Sequence, residues 1–212
     1  MKLRTYFRST AAYRVRIALH IKDVEHDLVP INLLSSEHQQ DAFLKHNPEG
    51  LVPTLEVDDH TLTQSIAILE YLEEEFPQPA LLPSTSLDRA YVRSLVQIIA
   101  SDVHPINNLR VLKFLVNDLG VSEQNKMVWY HHWIAKAFTS LEQKLADGAH
   151  TGLFCFGDTP TFADVCLIPQ VYNAKRFDCP MADYPTIRRI EQHCLTLPAF
   201  ANASPEKQLD AL

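Results

Sequence analysis

No stretch of this 212-residue chain approaches the roughly 18 consecutive apolar residues of a membrane-spanning helix. The Lys and Arg near the N-terminus are not followed by a long apolar run, so no secretory signal is expected. Long basic runs are also missing and the net charge is −7, which gives no support for nucleic-acid binding by the chain as a whole. The four cysteines, Cys155, Cys166, Cys179 and Cys194, form no Cys-x-x-Cys pair. They read as reduced, structural cysteines of a cytosolic protein. There is no His-Glu-x-x-His pattern, no phosphate-binding Walker loop, no internal repeat and no low-complexity segment. No metal site is expected. What remains is an ordinary globular balance, 46% hydrophobic and 21% charged, long enough for one large domain or two small ones. An intracellular enzyme or binding domain fits that balance.

The most informative stretch runs from Tyr6 to Leu19. An extended opening, Lys2 to Phe7, meets a hydroxyl pair, Ser9 and Thr10, and then an amphipathic helix. Val15, Ala18, Leu19 and Ile17 supply its apolar face, with Arg14 and Arg16 directed elsewhere and assigned to structure. The hydroxyls therefore sit beside free amides at a positive helix end, which attracts an anion. The same residues also suit simple helix capping, and the stretch alone leaves both readings open.

Strand-like and helix-like patterns alternate over the first eighty residues. Asp27 to Ile31 reads as a second strand, Ala42 to Lys45 as a short helix, and Thr54 to Val57 as a third strand. Asp58-Asp59 turns the chain into Thr61 to Thr63, and Ser65 opens a helix with Ile66, Ile68, Leu69, Leu72 and Phe76 near one face. The expected first domain, residues 1–76, is thus α/β and thioredoxin-like in order, β-α-β-α-β-β-α, with a parallel pair and an antiparallel edge. Three prolines within Pro77 to Pro83 mark residues 77–86 as a linker. Residues 87–212 lose all strand signals and read as an all-α second domain. Its long runs are Leu87 to Leu119, interrupted or kinked at Pro105, and Glu123 to Asp147; shorter helices cover Thr161 to Ala174 and Pro185 to Leu195. The polar Ser204 to Leu212 is expected to fray.

Two further positions carry chemistry. Pro53 belongs at the beginning of its strand, because proline cannot donate to a ladder. The sequence leaves the Val52–Pro53 isomer open, trans being commoner; a cis bond would present Val52 to an extended peptide. Gln64-Ser65 lies at a strand–helix junction, where Ser65 is a natural N-cap and Gln64 offers both donor and acceptor. Thr161-x-x-Asp164 reads as a capping box serving the fold. His131-His132 and Trp129/Trp133 read as helix surface and core.

Together these pieces resemble the glutathione transferase family over essentially the whole chain. Arg8 to Leu19, reading Arg-Ser-Thr-Ala-Ala-Tyr-Arg-Val-Arg-Ile-Ala-Leu, is similar to the zeta-class signature. So are Asn47-Pro48, Val52-Pro53-Thr54-Leu55, Gln64 to Leu72, Leu81-Leu82-Pro83, His104 to Leu112, Gly157 to Asp164, and Pro169 to Phe177. One departure stands out: the signature usually carries Cys where this chain has Ala11, so a thiol at that place is absent. The resemblance implies a glutathione-dependent cis–trans isomerase of aromatic amino-acid breakdown, tyrosine and phenylalanine catabolism, converting maleylacetoacetate, with maleylpyruvate as the alternative substrate. A glutathione-conjugating transferase with Tyr6 as the sulfur donor, and a non-catalytic binding module on the same fold, are the competing readings.

The roles that the resemblance implies are specific. Ser9 donates to the sulfur of glutathione, helped by the amides of Thr10 and Ala11. Val52 pairs with the cysteinyl backbone, Gln64 and Ser65 hold the γ-glutamyl carboxylate, and His38 meets the glycyl end. Asp102 reaches the γ-glutamyl amine across a homodimer. Arg8, Arg110 and Arg176 hold a dicarboxylate-like substrate by two-point geometry, and His104 and Asn108 line the same pocket.

Overall fold

A computed structural model describes residues 1–211, and the chain divides into two compact units. The first comprises Met1–Leu81 together with Leu195–Leu212; the second is Leu82–Cys194. The C-terminal segment, counted with the helical region in the sequence reading, therefore groups with the first unit.

The first unit is built on a four-stranded sheet in the order β2-β1-β3-β4: β1 Lys2–Thr5, β2 Asp27–Pro30, β3 Thr54–Val57 and β4 His60–Thr63. Strands β1 and β2 are parallel, joined by helix α1, Thr10–Ile21; β3 is antiparallel to both β1 and β4. The register aligns Leu28, Leu3, Leu55 and Leu62 in one row across the sheet. Leu3 and Leu55, at its centre, are fully buried, each stabilising the fold by about 1.5–3 kcal/mol. A short helix α2, Asp41–Leu44, precedes β3, and α3, Ser65–Glu75, follows β4. Asp58, at φ 49, makes the β3–β4 turn, a left-handed conformation that Asp tolerates. Two X–Pro bonds are cis, Val52–Pro53 and Gln78–Pro79.

Helix α1 departs from the amphipathic expectation. It is buried on nearly every side from Thr10 to Leu19, Arg14 and Arg16 included. The reason is tertiary: α3 packs against α1, and so does α9, Pro198–Asn202, brought back by the C-terminal segment. A helix covered all round has no solvent face for its arginines. Arg16 is satisfied by donating to Thr5 Oγ1 at 2.9 Å and to the carbonyls of Phe7 and Ala203 at 3.1 and 3.0 Å. Up to Ala211 the terminal segment is correspondingly anchored where a fraying end was expected, Leu212 lying outside the described residues: Ala203, Pro205 and Gln208 are buried, and Gln208 Nε2 donates to the carbonyls of Asn202 and Ser204.

The chain leaves the first unit over a peg. Lys22, buried at the end of α1, donates to Glu73 at 2.8 Å and to the carbonyls of Phe76 and Pro79; Glu73 in turn accepts from the Leu81 amide. A buried ammonium needs this full set of partners.

The second unit is helical: α4 Ser86–Gln97, α5 Leu109–Asn117, α6 Glu123–Ala146, α7 Phe162–Arg176 and α8 Pro185–Cys194. The expected long run from Leu87 to Leu119 is divided. Helix α4 widens into a π-helical turn, Ile98–Val103, the chain turns over His104 to Asn107 around Pro105, and α5 restarts with Asn108 as its cap. Thr85, Asn108 and Ser122 cap their helices through side-chain oxygens, and Thr161 with Asp164 forms the reciprocal box that opens α7. The four cysteines are free and buried. Burial pushes the thiols of Cys155, Cys179 and Cys194 up, that of Cys179 to about 12, which favours their protonated form. No helix among the described residues is long and apolar enough to cross a membrane.

Candidate functional site

Strand direction assembles the site in the first unit. β1 and β4 each run antiparallel to β3, so they end at the same end of the sheet, and their following helices α1 and α3 both start there. β3 begins at that end, which places Val52–Pro53 beside the exit of β1; Thr54 pairs with Arg4. β2, parallel to β1, also ends there and leads to the 3₁₀ turn Glu37–Gln39. Four segments separated in sequence thus meet for topological reasons.

Ser9 is the N-cap of α1, with Oγ accepting from the Ala12 amide at 3.2 Å. The capping reading is realised, and it does not compete with a second role. Capping uses a hydroxyl lone pair, while the O–H remains a separate donor. Ser9 is half-buried, Thr10 is buried and Ala11 half-buried behind it. No acidic residue occupies the first turn of α1 or of α3, so neither helix neutralises its own positive end. Each such end is worth about 0.3–1 kcal/mol to an exposed anion, and up to about 2 when partly buried.

At α3 the structure corrects the capping assignment. Gln64, not Ser65, is the N-cap, and it makes no side-chain cap bond; Ser65 is the first helical residue and is buried. Gln64 has φ 66 and ψ 113, outside the usual range of a non-glycine residue. Strain of this kind persists where surrounding structure enforces it, commonly at functional sites. Its Nε2 donates to Glu49 Oε2 at 2.5 Å. Behind Ser65 stands the buried Arg14, whose Nη1 donates to Ser65 Oγ at 3.2 Å and links the two helix starts. Neither Glu49 nor Arg14 was identified from sequence, because nothing local to either residue signals a partner at position 64 or 65.

Val52 is buried in a cluster with Tyr6, Phe7 and Phe43. Tyr6 belongs to this apolar cluster, its ring edge-on to Phe7 at 4.8 Å. Arg8 is exposed, its guanidinium lying 4.7 Å from the centre of the Phe7 ring. His38 is half-buried on its turn, and its carbonyl borders Gly50. Gly50 takes φ +61, and an added Cβ would lie 2.6 Å from Gln39 Nε2 and 3.2 Å from the His38 carbonyl. Gly50→Ala is therefore expected to cost about 1–2 kcal/mol in chemical denaturation. It would also displace the turn carrying His38; an unchanged midpoint would contradict this.

The other candidates lie in the second unit. Asp102 is exposed near the end of the π-helical turn, and His104 is half-buried, its amide donating to the Ile99 carbonyl at 2.9 Å. Asn108 Oδ1 accepts from the Arg110 amide at 3.1 Å. Arg110, exposed in the first turn of α5, adds charge to an already positive helix end. Arg176 is exposed in the last turn of α7, its guanidinium 4.5 Å from the Phe177 ring centre. His131 Nε2 lies 2.7 Å from the Phe177 carbonyl, and Trp129 Nε1 donates to Ile106. Among the described residues, no group of three His, Cys, Asp or Glu is placed to hold a metal ion.

Comparison with known proteins gives consistent results. Residues 1–74 match the family pattern described as "Glutathione S-transferase, N-terminal domain", and residues 129–192 match "Glutathione S-transferase, C-terminal domain". A probable maleylacetoacetate isomerase of Vibrio cholerae is 47% identical over 208 residues, 97% of this chain and 96% of that protein. A maleylpyruvate isomerase described as a zeta-class bacterial glutathione S-transferase superposes with TM-score 0.98 at 42% identity, covering 100% of both chains. A maleylacetoacetate isomerase of Methylobacterium extorquens AM1, solved with malonate and glutathione bound, gives TM-score 0.97 at 38% identity, again over 100% of both.

Proposed function

Because the chain belongs to the glutathione S-transferase family, we propose that it is a glutathione-dependent cis–trans isomerase converting maleylacetoacetate to fumarylacetoacetate. The observation that carries this reading is the placement of Ser9. Its hydroxyl stands at the N-terminus of a helix with no acidic residue in its first turn, at the same end of the sheet as a second such helix start.

The donor set fits glutathione. Ser65, the amides opening α3 and the buried Arg14 behind them suit the γ-glutamyl carboxylate. Gln64 supplies an amide beside them, Val52 a backbone edge for the cysteinyl residue, and His38 a group for the glycyl end. When bound, glutathione supplies a thiolate that adds reversibly to the substrate's conjugated double bond and leaves after rotation. Ser9 donates its O–H to that sulfur, while the first-turn amides of Thr10 and Ala11 add positive potential; both favour the ionised thiol. With Ala11 in place of the class cysteine, the chain offers no thiol of its own there.

We assign the substrate's carboxylates to Arg8, Arg110 and Arg176, whose guanidinium groups also stabilise charge that develops on the enolate oxygen. His104 and Asn108, beside Arg110 in the second unit, are assigned to ligand binding as well. R110A and R176A are expected to raise KM for the dicarboxylate about tenfold or more, at little cost in glutathione affinity. Unchanged KM in both variants would remove these arginines from the assignment. We further propose a cytoplasmic homodimer acting in tyrosine and phenylalanine catabolism, with Asp102 of the partner subunit reaching the γ-glutamyl amine. The conjugating alternative through Tyr6 is disfavoured by its burial in an apolar cluster.

The test is loss of maleylacetoacetate absorbance, coupled to a hydrolase specific for the trans product, beside a parallel assay on maleylpyruvate. Higher kcat/KM on maleylacetoacetate is expected. The reverse ranking would transfer the substrate assignment to maleylpyruvate, and no turnover of either would overturn the reading.

A further inference from the structure

The C-terminal segment does more than cover α1. After α9 it passes through the 3₁₀ turn Pro205–Lys207 and a turn closed by the Ala211 amide donating to the Gln208 carbonyl at 3.0 Å. That path sets the Asp210 carboxylate against the backbone of Phe7, whose amide donates to Asp210 Oδ2 at 3.0 Å. Ala211 packs against the cluster of Tyr6, Phe7, Phe43 and Val52.

Phe7 is the hinge of the turn that presents Ser9. Its carbonyl accepts from Arg16 Nη2 at 3.1 Å, so both polar backbone atoms of this residue are held by side chains. The Tyr6 carbonyl accepts from Arg16 Nη1 at 3.4 Å and from the Ser9 amide at 2.9 Å. The Phe7 ring lies beneath the Arg8 guanidinium. Ser9 is joined to α1 by the Ala12 and Tyr13 amides, whereas Phe7 and Arg8 lie in no helix or strand, so the segment that leads into Ser9 is held by these two clamps. Arg16 is buried and local to the turn; Asp210 is half-buried and arrives from the opposite end of the chain.

We propose that Asp210 is a positioning residue of the Ser9 turn: the terminal segment locks the Phe7 amide and thereby fixes the Ser9 hydroxyl and Arg8. Its catalytic consequence rests on the reading of Ser9 as the donor to glutathione sulfur. The fraction of bound glutathione present as thiolate then depends on a residue that touches neither glutathione nor substrate.

The experiment compares wild type, Asp210→Ala and Asp210→Asn, the last keeping an acceptor oxygen where the carboxylate stood. Thiolate absorbance of bound glutathione is titrated against pH, kcat and the glutathione Kd are measured, and exchange of the Phe7 amide is followed by NMR. D210A is expected to expose the Phe7 amide to exchange, raise the pH at which the bound thiol ionises, and lower kcat about tenfold. Glutathione Kd should stay within about threefold, because the groups assigned to the γ-glutamyl end are untouched. D210N should recover most of the wild-type behaviour.

Unchanged thiol ionisation and kcat in D210A would overturn the inference while leaving the proposed function intact, as would equal losses in D210A and D210N. A wild-type protein with no thiolate signal would instead overturn the functional reading, and with it the catalytic part of this inference. In that case the amide exchange alone still decides whether Asp210 holds the turn.

Discussion

Ser9→Ala is expected to lower glutathione-dependent isomerisation about 10- to 100-fold. Hydrogen bonds to charged groups contribute about 1.5–3 kcal/mol, and the bond proposed for Ser9 is to an ionised sulfur. The same change removes the bond from the Ala12 amide, so about 1 kcal/mol of stability should go with it. The two losses separate by substitution. Ser9→Asp keeps a strong N-cap while placing a carboxylate beside the proposed thiolate position, so stability should be retained and activity should stay low. Ser9→Thr should restore a large part of both. Tyr6→Phe, in the apolar cluster, should leave kcat within about twofold. Activity that survives S9A but not Y6F would exchange the roles of the two residues.

The largest stability effect is expected at Asp164, in the second unit. Its carboxylate is fully buried and accepts from the Cys155 amide at 2.8 Å, the Thr161 amide at 2.8 Å and Thr161 Oγ1 at 2.9 Å. Asp164→Ala strands two buried backbone donors, each costing about 1–3 kcal/mol, so a loss of about 2–6 kcal/mol is expected in denaturant unfolding. Asp164→Asn, which keeps one acceptor, should fall between. A loss below about 1 kcal/mol in D164A would contradict the account.

The pH dependence at this site has an unusual sign. Burial raises the Asp164 carboxyl above its ordinary 3.8, against hydrogen bonds from Cys155 and Thr161 that lower it. A carboxyl with a raised folded-state value holds its proton more tightly in the folded protein than in the unfolded chain. Its contribution to stability is therefore greatest below the ordinary carboxylate range and declines as pH climbs through the raised value. The difference in stability between wild type and D164N should narrow over that rise.

The order of strands and helices in the first unit was legible because period-two and period-3.6 patterns are punctuated by Asn47-Pro48, Asp58-Asp59 and the prolines after Phe76. Topology followed, since a parallel β1–β2 pair requires a crossover helix and a tight turn gives β3–β4. The placement of Ser9, Val52 and Gln64 at one end of the sheet is a consequence of that topology. Tertiary partners were not legible. Arg14 and Arg16 were assigned to structure, but their partners were hidden, because Ser65 and Ala203 lie about fifty and nearly two hundred positions away. For the same reason Ser204 to Leu212 read as a fraying end, although Asp210 reaches the Phe7 amide. At Gln64 a serine next door suggested the wrong cap, because the backbone there adopts φ 66, which no local pattern announces. Pro105 correctly marked a break, but widening of α4 into a π-helical turn depends on packing against α6 and α7.

The proposed mechanism recycles glutathione on the Ser9 turn and does not consume it. It is tested most directly by counting substrate turnovers against glutathione lost, with free thiol measured alongside loss of maleylacetoacetate. Many turnovers per glutathione, an undiminished thiol pool and no activity when glutathione is omitted are expected. One thiol lost per substrate, with a stable conjugate accumulating, or full activity without glutathione, would contradict it.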